Sequence, residues 1–271
     1  MKEVISLIGE IIKRRKLIWD LSKADFRKRF VGSYFGVVWM FVQPIVTVLI
    51  YFCIFQLGFK SVPPVPGVPY VLWLVPGIVP WFFFSEALNT VTGCLQEYSY
   101  LVKKVVFQVE VLPVIKLISS LMVHCFFVAI MIVMALCYGR MPMATWIQVI
   151  YYSFAASMLA LPSWLQLIYY AFAASMLALA LSYFTCAIQV FFKDMAQIVG
   201  ICLQFGMWMV PIMYQESMFA DIPFVLTLLK FNPFYYIVAG YRDSILTGHW
   251  FFERPTMTLY FWVVTLVIFF V

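Results

Sequence analysis

An all-α membrane protein with six transmembrane helices is the fold class the sequence predicts, and three observations predict it. Hydrophobic residues fill 65% of the 271 positions and charged residues only 11%, against about 25% charged in soluble domains. Nine of the eighteen Lys and Arg side chains lie in the first 29 residues. No charged side chain then occurs across residues 31–59. As a helix that stretch covers about 43 Å, more than the ~30 Å hydrocarbon core. A basic head followed by apolar runs is the layout of a multi-pass protein whose N-terminus is cytoplasmic. The apolar character is continuous, so residues 1–271 read as a single transmembrane domain.

Residues 1–30 read as an amphipathic helix lying along the membrane surface. Ile5, Ile8 and Ile12 share a face, Leu17, Leu21 and Ala24 continue the apolar strip, and basic residues occupy the rest. The apolar and aromatic side chains among those charges favour an interfacial helix over a solvated tail. Lys13, Arg14, Arg15 and Lys16 interrupt the first apolar stretch, so no cleavable signal peptide is expected. The first span is placed at 34–57, kinked at Pro44. A Pro-rich loop separates it from a second span at 70–93, where Pro76, Gly77 and Pro80 are expected to make the first half irregular. A short polar segment at 96–110 precedes a third span at 111–138.

The next stretch repeats itself. Residues 146–161 recur at 164–179 with thirteen of sixteen positions identical and an offset of 18. That offset is five turns at 3.6 residues per turn, so one continuous helix would present the same face twice. Pro162 favours a break between the copies. The identity is too high for an old fold repeat and reads as a recent duplication or a sequence artefact. A single span at 165–191 is expected, with the first copy at the outer surface or extending that helix. Lys193 and Asp194 turn the chain into a fifth span at 195–213. Residues 214–254 are too apolar for an ordinary loop. They are expected to re-enter the membrane as short helices broken at Asn232–Pro233, which membrane-depth backbone permits where protein or a wet cavity satisfies it. The last span is 255–271. With both ends inside, thirteen basic residues face the cytoplasm and five (Lys60, Arg140, Lys230, Arg242, Arg254) face outward, in keeping with the positive-inside rule.

Motifs argue mostly by exclusion. No G-x-x-x-x-G-K-[ST] loop, G-x-S-x-G or H-E-x-x-H occurs, so no enzyme, catalytic residue, metal site or bound cofactor is expected on this chain. The six cysteines contain no C-x-x-C pair and read as buried small apolar residues rather than metal ligands or disulfides. His124 reads as a packed helix residue. The outer carboxylates Glu216, Asp221, Asp243 and Glu253 are weighed as transferase catalysts, and surface pairing around Arg242 and Asp243 is preferred. Glu86 inside the second span is a costly placement and therefore a functional candidate; pairing with a neighbouring helix is the alternative.

The segment Leu101-Val102-Lys103-Lys104-Val105-Val106-Phe107, with Val111-Leu112-Pro113 after it, resembles the coupling-helix region of ABC-2 type permeases. Further agreement comes from Tyr34-Phe35-Gly36-Val37-Val38-Trp39, Gln43-Pro44, Pro80-Trp81-Phe82, Phe192-Lys193-Asp194, Pro211-Ile212-Met213-Tyr214, Asn232-Pro233-Phe234 and Gly240-Tyr241-Arg242-Asp243. The order holds along the whole chain. Gln108 departs from the family, which usually has Pro there, and the duplication has no family counterpart.

The resemblance implies the membrane subunit of an ABC exporter for lipid-linked polysaccharide such as O-antigen, capsule or wall teichoic acid. It implies a homodimer over two copies of a separate ATPase, which holds the ATP and Mg, in the cytoplasmic membrane of a bacterium. Val102, Lys103, Lys104, Val105 and Phe107 would then seat in the ATPase, with Phe107 as anchor; a positive-inside cluster is the plainer reading. Tyr34, Phe35, Trp39, Phe41, Trp81 and Phe82 become candidate glycan-channel residues, set against ordinary packing roles. Arg14, Arg15, Arg27 and Arg29 become candidates for an anionic lipid head group, set against plain attraction to anionic lipid. The competing readings are an ABC-2 permease for a drug or small lipid, a secondary carrier, and a membrane glycosyltransferase. A carrier would show paired half-repeats, and the duplication here is confined to one helix.

Overall fold

The structure, a computed structural model, describes residues 11, 13–29, 31, 36–98, 111–139, 164–247, 249 and 251–270. Those residues form helices and connecting turns, with no strand among them. Helix α1 is Arg15–Lys28. Its buried residues, Ile18, Ser22 and Asp25, follow the i, i+4, i+7 spacing of one helical face. That face lies on α5, and Arg27 and Lys28 sit in the last turn, where cations suit the helix dipole.

Helix α2, Gly36–Gly58, contains Pro44 and ends in a wide turn from Phe52. None of its most apolar stretch is buried within this chain. Helix α3, Tyr70–Thr92, is the opposite case and forms the centre of the molecule. It contacts α5, Leu112–Cys137; α6, Trp164–Phe191; α7, Met195–Trp208; and α9, Pro233–Arg242. Between α3 and α5 runs the short helix α4, Cys94–Glu97.

The irregular first half expected for α3 does not occur; the α-helix runs unbroken through Pro76 and Pro80. Each proline deletes one ladder bond. Arg242 packs against this half of the helix at Trp73. Its guanidinium lies 3.7 Å above the Trp73 ring, donates from Nε to Trp73 O at 3.3 Å and from Nη1 to Pro211 O at 2.7 Å, and also donates to Ile212 O. A Cβ on Gly77 would lie 2.7 Å from Arg242 Nη2, so glycine there makes room for the charge. Surface pairing of Arg242 is thereby corrected: backbone carbonyls hold it, while Asp243 pairs with Arg254 at 3.0 Å.

Helix α6 carries the second copy of the duplication, and the first copy lies outside the described residues. Ala173, Ala174, Leu177, Ala178 and Ala180 are buried on α6, and such small side chains let helices approach closely. Gly240 of α9 shows how close: a Cβ there would collide with the Tyr170 ring.

The fifth segment is shorter than expected. Helix α7 stops at Trp208, and residues 209–214 run as a tight turn with Pro211, Ile212 and Met213 buried. Tyr70 Oη fastens that turn to α3 by donating to Met213 O at 2.6 Å. The turn starts where Pro211 would enter a continued helix without an N–H to donate. Fourteen residues reach about 21 Å, less than a hydrocarbon core. The two next helices, α8 (Pro223–Phe231) and α9, break at Asn232. The Asn232 side chain caps α9 by accepting from Phe234 N at 2.9 Å, with Pro233 at the first helical position. Helix α10, Pro255–Phe270, closes the chain. Among the described residues, four helices (α2, α3, α5 and α6) are long and apolar enough to cross a membrane, and α7 and α10 are shorter apolar helices.

His124 is packed as expected, buried beside Phe83 with its Nε2 2.6 Å from Tyr241 Oη. Of the cysteines, Cys94 and Cys186 are buried with their Sγ atoms 3.3 Å apart, whereas Cys53, Cys125, Cys137 and Cys202 are exposed on this chain. The expectation of burial thus holds for one pair only.

Candidate functional site

Charges converge where α1 crosses the ends of α3, α4 and α5. Lys116 of α5 is the hub, donating to Asp25 Oδ1 at 2.5 Å and to Glu97 Oε2 at 2.7 Å. Asp25 also accepts from Tyr98 Oη at 2.9 Å and lies 3.6 Å from Arg29. Arg29 donates in turn to Glu86 and, at 3.2 Å, to Ser120 Oγ. Lys28 closes the web on Glu97 Oε1 at 2.8 Å. The Tyr98 ring lies beneath both lysines, 5.1 Å from Lys116 Nζ and 5.6 Å from Lys28 Nζ. Among the described residues, three cations (Lys28, Arg29, Lys116) and three carboxylates (Asp25, Glu86, Glu97) therefore form one cluster of balanced charge linking α1, α3, α4 and α5.

The reason for the web is electrostatic. An ionisable group on an apolar helix is costly unless paired. Lys116 has 6% and Asp25 2% of its side chain exposed, so each is buried against the other. Burial works to raise the Asp25 carboxyl, but the hydrogen bond and charge of Lys116, with Tyr98, hold it below its ordinary value. Glu97 shows the same balance: burial raises it, and Lys116 and Lys28 together hold it low.

The predicted residues distribute unevenly around this cluster. Glu86 takes the pairing alternative, as partner of Arg29, and Arg29 is held by the web. Arg15 and Arg27 project from α1 as exposed side chains, and Arg14 is half-buried. Among the aromatics, Trp39 is exposed, Phe41 and Phe82 are half-buried and each packs on Phe127, and Trp81 is buried edge-on to Phe234 with centroids 5.1 Å apart. Trp81 is thus a packing residue within this chain. Tyr34 and Phe35 lie outside the described residues, as do Val102, Lys103, Lys104, Val105 and Phe107. The web begins at Glu97 and Tyr98 and resumes at Lys116, on either side of that segment.

Sequence reasoning missed Asp25, Glu97 and Lys116 as a unit. The available signal was Lys116 itself, a lone cation in an apolar run, which calls for a buried acid. No group of three or more His, Cys, Asp or Glu placed to hold a metal occurs among the described residues.

These features define a multi-pass helical membrane protein in which a web of ion pairs joins helices. No family model matches the chain. It is similar along most of its length to permeases of O-antigen export systems. One, from Myxococcus xanthus, is 26% identical over 239 residues, covering 88% of this chain and 84% of the relative. A second, from Klebsiella pneumoniae, is 22% identical over 234 residues, or 86% and 81% of the two chains. Another from the same organism is 22% identical over 247 residues, or 90% and 85%. All three carry the name O-antigen export system permease protein RfbA. The resemblance to ABC-2 type permeases is borne out at that length.

Proposed function

We propose that this chain is the permease subunit of an ATP-driven exporter that carries a lipid-linked polysaccharide of the O-antigen kind across the cytoplasmic membrane of a bacterium. The observation that carries this reading is likeness to three O-antigen export permeases over 86–90% of the chain. The chain itself performs no catalysis and holds no cofactor; a separate ATPase, in two copies, binds ATP with Mg and hydrolyses it. Two copies of the permease form the conduit. Helices α7 and α10 serve as the fifth and sixth spans, with thinning of the bilayer or tilt of neighbours absorbing their short length. Helix α1 lies on the cytoplasmic surface, where exposed Leu17 and Trp19 beside Arg15, Lys16 and Lys23 suit an interfacial position.

Segment 96–110 receives the ATPase, with Phe107 as anchor and Val102, Lys103, Lys104 and Val105 around it. The ion-pair web supports this role because it ties both flanks of the segment to α1 and to the central helix α3. ATPase closure at the segment is then transmitted to the spans as a rigid displacement. Trp39, Phe41 and Phe82, with Tyr34 and Phe35, offer ring faces to sugars along the conduit. Arg14, Arg15 and Arg27 receive the anionic head of the lipid carrier.

The test is deletion of the gene in its host, followed by electrophoresis of surface polysaccharide and assay of lipid-linked glycan inside the cell. Loss of surface glycan with intracellular accumulation, restored by the wild-type gene, is expected. Unchanged surface glycan would overturn the reading. A drug or small-lipid permease would instead leave the glycan intact and alter tolerance to the compound.

A further inference from the structure

At the end of the molecule opposite α1 lies a cavity of about 740 Å³, within the 300–1,000 Å³ range of small-molecule sites. Its wall includes three carboxylates (Glu216, Asp243, Glu253) and three cations (Lys230, Arg242, Arg254). Asp243 and Arg254 neutralise each other at 3.0 Å. Glu216 Oε1 accepts from Tyr235 Oη at 2.5 Å. Glu253 Oε2 is 2.9 Å from His249 Nδ1. The guanidinium of Arg242 uses three of its five donors on the carbonyls of Trp73, Pro211 and Ile212. No carboxylate among the described residues lies within ion-pair distance of it. Gln215, Ser217, Thr256 and Tyr214 add amide, hydroxyl and ring surface to the wall.

We propose that this cavity binds a saccharide unit, a neutral and hydroxyl-rich ligand, on the outer side of the membrane. The chemistry excludes the other classes in turn. An acyl chain would offer no hydrogen bond to the charged side chains of the wall. A phosphate would gain Arg242 and Lys230 but would face Glu216 and Glu253, and a metal or organic cation would gain those two carboxylates but would face Arg242 and Lys230. A sugar hydroxyl donates to a carboxylate and accepts from a guanidinium at once, so a polyol satisfies both signs without net charge. Charge-assisted hydrogen bonds of this kind are about twice as strong as neutral ones. The Trp73 face is covered by Arg242, leaving the tyrosines at the wall as ring surfaces. The proposal rests on the export reading and deepens it: the outer cavity holds one stretch of the glycan as it leaves, so the polymer does not slip back between cycles.

The experiment uses the permease purified with its ATPase and saturation-transfer NMR. The probes are four neutral trisaccharides, built from glucose, galactose, mannose or N-acetylglucosamine, and a triglucuronate. At least one neutral trisaccharide is expected to receive saturation and the triglucuronate none. Thr256→Trp, at an exposed position on the cavity wall, fills the space and is expected to cut the signal at least fivefold; Glu216→Gln is expected to weaken it without blocking entry. No signal from any neutral sugar, equal signal from the triglucuronate, or no effect of both variants overturns the site. Surface glycan is measured in parallel. Export with no sugar contact removes the cavity site and leaves the export reading standing; surface glycan that persists without this chain removes the export reading itself.

Discussion

Replacing Lys116 with methionine is the sharpest probe of the ion-pair web. The lysine and Asp25 are 6% and 2% exposed and 2.5 Å apart, so the change strands a carboxylate in a site that excludes water. Removing one member of such a buried pair costs about 3–5 kcal/mol. Asp25 keeps Tyr98 at 2.9 Å and Arg29 at 3.6 Å, which places the expected loss near the lower figure. Glu97 adds little, because its side chain is 39% exposed and exposed pairs are worth about 0–1 kcal/mol. A loss of about 3 kcal/mol lowers Tm by about 6–12 °C in a chain of this size. The assay is thermal unfolding of the detergent-solubilised protein followed by intrinsic fluorescence. The double variant Asp25→Asn with Lys116→Met removes the stranded charge and is expected to recover at least half of the loss, a coupling within the ~0.5–3 kcal/mol seen for residues in contact. A Lys116→Met protein within 1 °C of wild type, or a double variant as unstable as the sum of its parts, would refute the reasoning.

The same web predicts a pH dependence. Asp25 and Glu97 are held below their ordinary values of 3.8 and 4.5, so the folded state binds fewer protons than the unfolded chain. Their contribution is complete above about pH 5 and declines as pH falls through the folded values; a Tm that rose below pH 4 would contradict it. Gly77→Ala presses a methyl against Arg242 and is expected to cost about 1–3 kcal/mol, read as a lower Tm, while Gly240→Ala, facing the Tyr170 ring, should yield little folded protein on size exclusion. Phe107→Ala is expected to reduce co-purification of the ATPase, and an undiminished complex would remove the anchor role. Deleting residues 146–163 is expected to leave a C-terminal reporter on the same side of the membrane; a reporter that switched sides would mean the first copy spans.

Periodicity and charge located the long apolar helices because those signals are local. The uncharged stretch at 31–59 contains α2, and the apolar run before Lys193 contains α6. The Asn232–Pro233 break was legible for the same reason: a capping side chain followed by proline is a signal two residues long. What the chain could not disclose depends on its three-dimensional neighbours. The prolines of α3 read as disruptive, yet that helix is whole, with Arg242 and the 209–214 turn bound to its first half. Arg242 looked like an outer surface cation, since nothing adjacent in sequence reveals three waiting carbonyls. The site was half legible. Glu86 and Arg29 were singled out separately, but at a separation of 57 positions nothing local hinted at the bond, and Asp25 and Lys116 stand 91 apart.

The neutrality of the web has an electrical consequence. Each unit of charge carried across a membrane potential does about 2.3 kcal/mol of work per 100 mV. Six side chains whose charges cancel, moving together as a joint, do none. A joint built this way turns at the same energy in a polarised cell and in a depolarised one. The web itself then adds no voltage sensitivity to the export cycle.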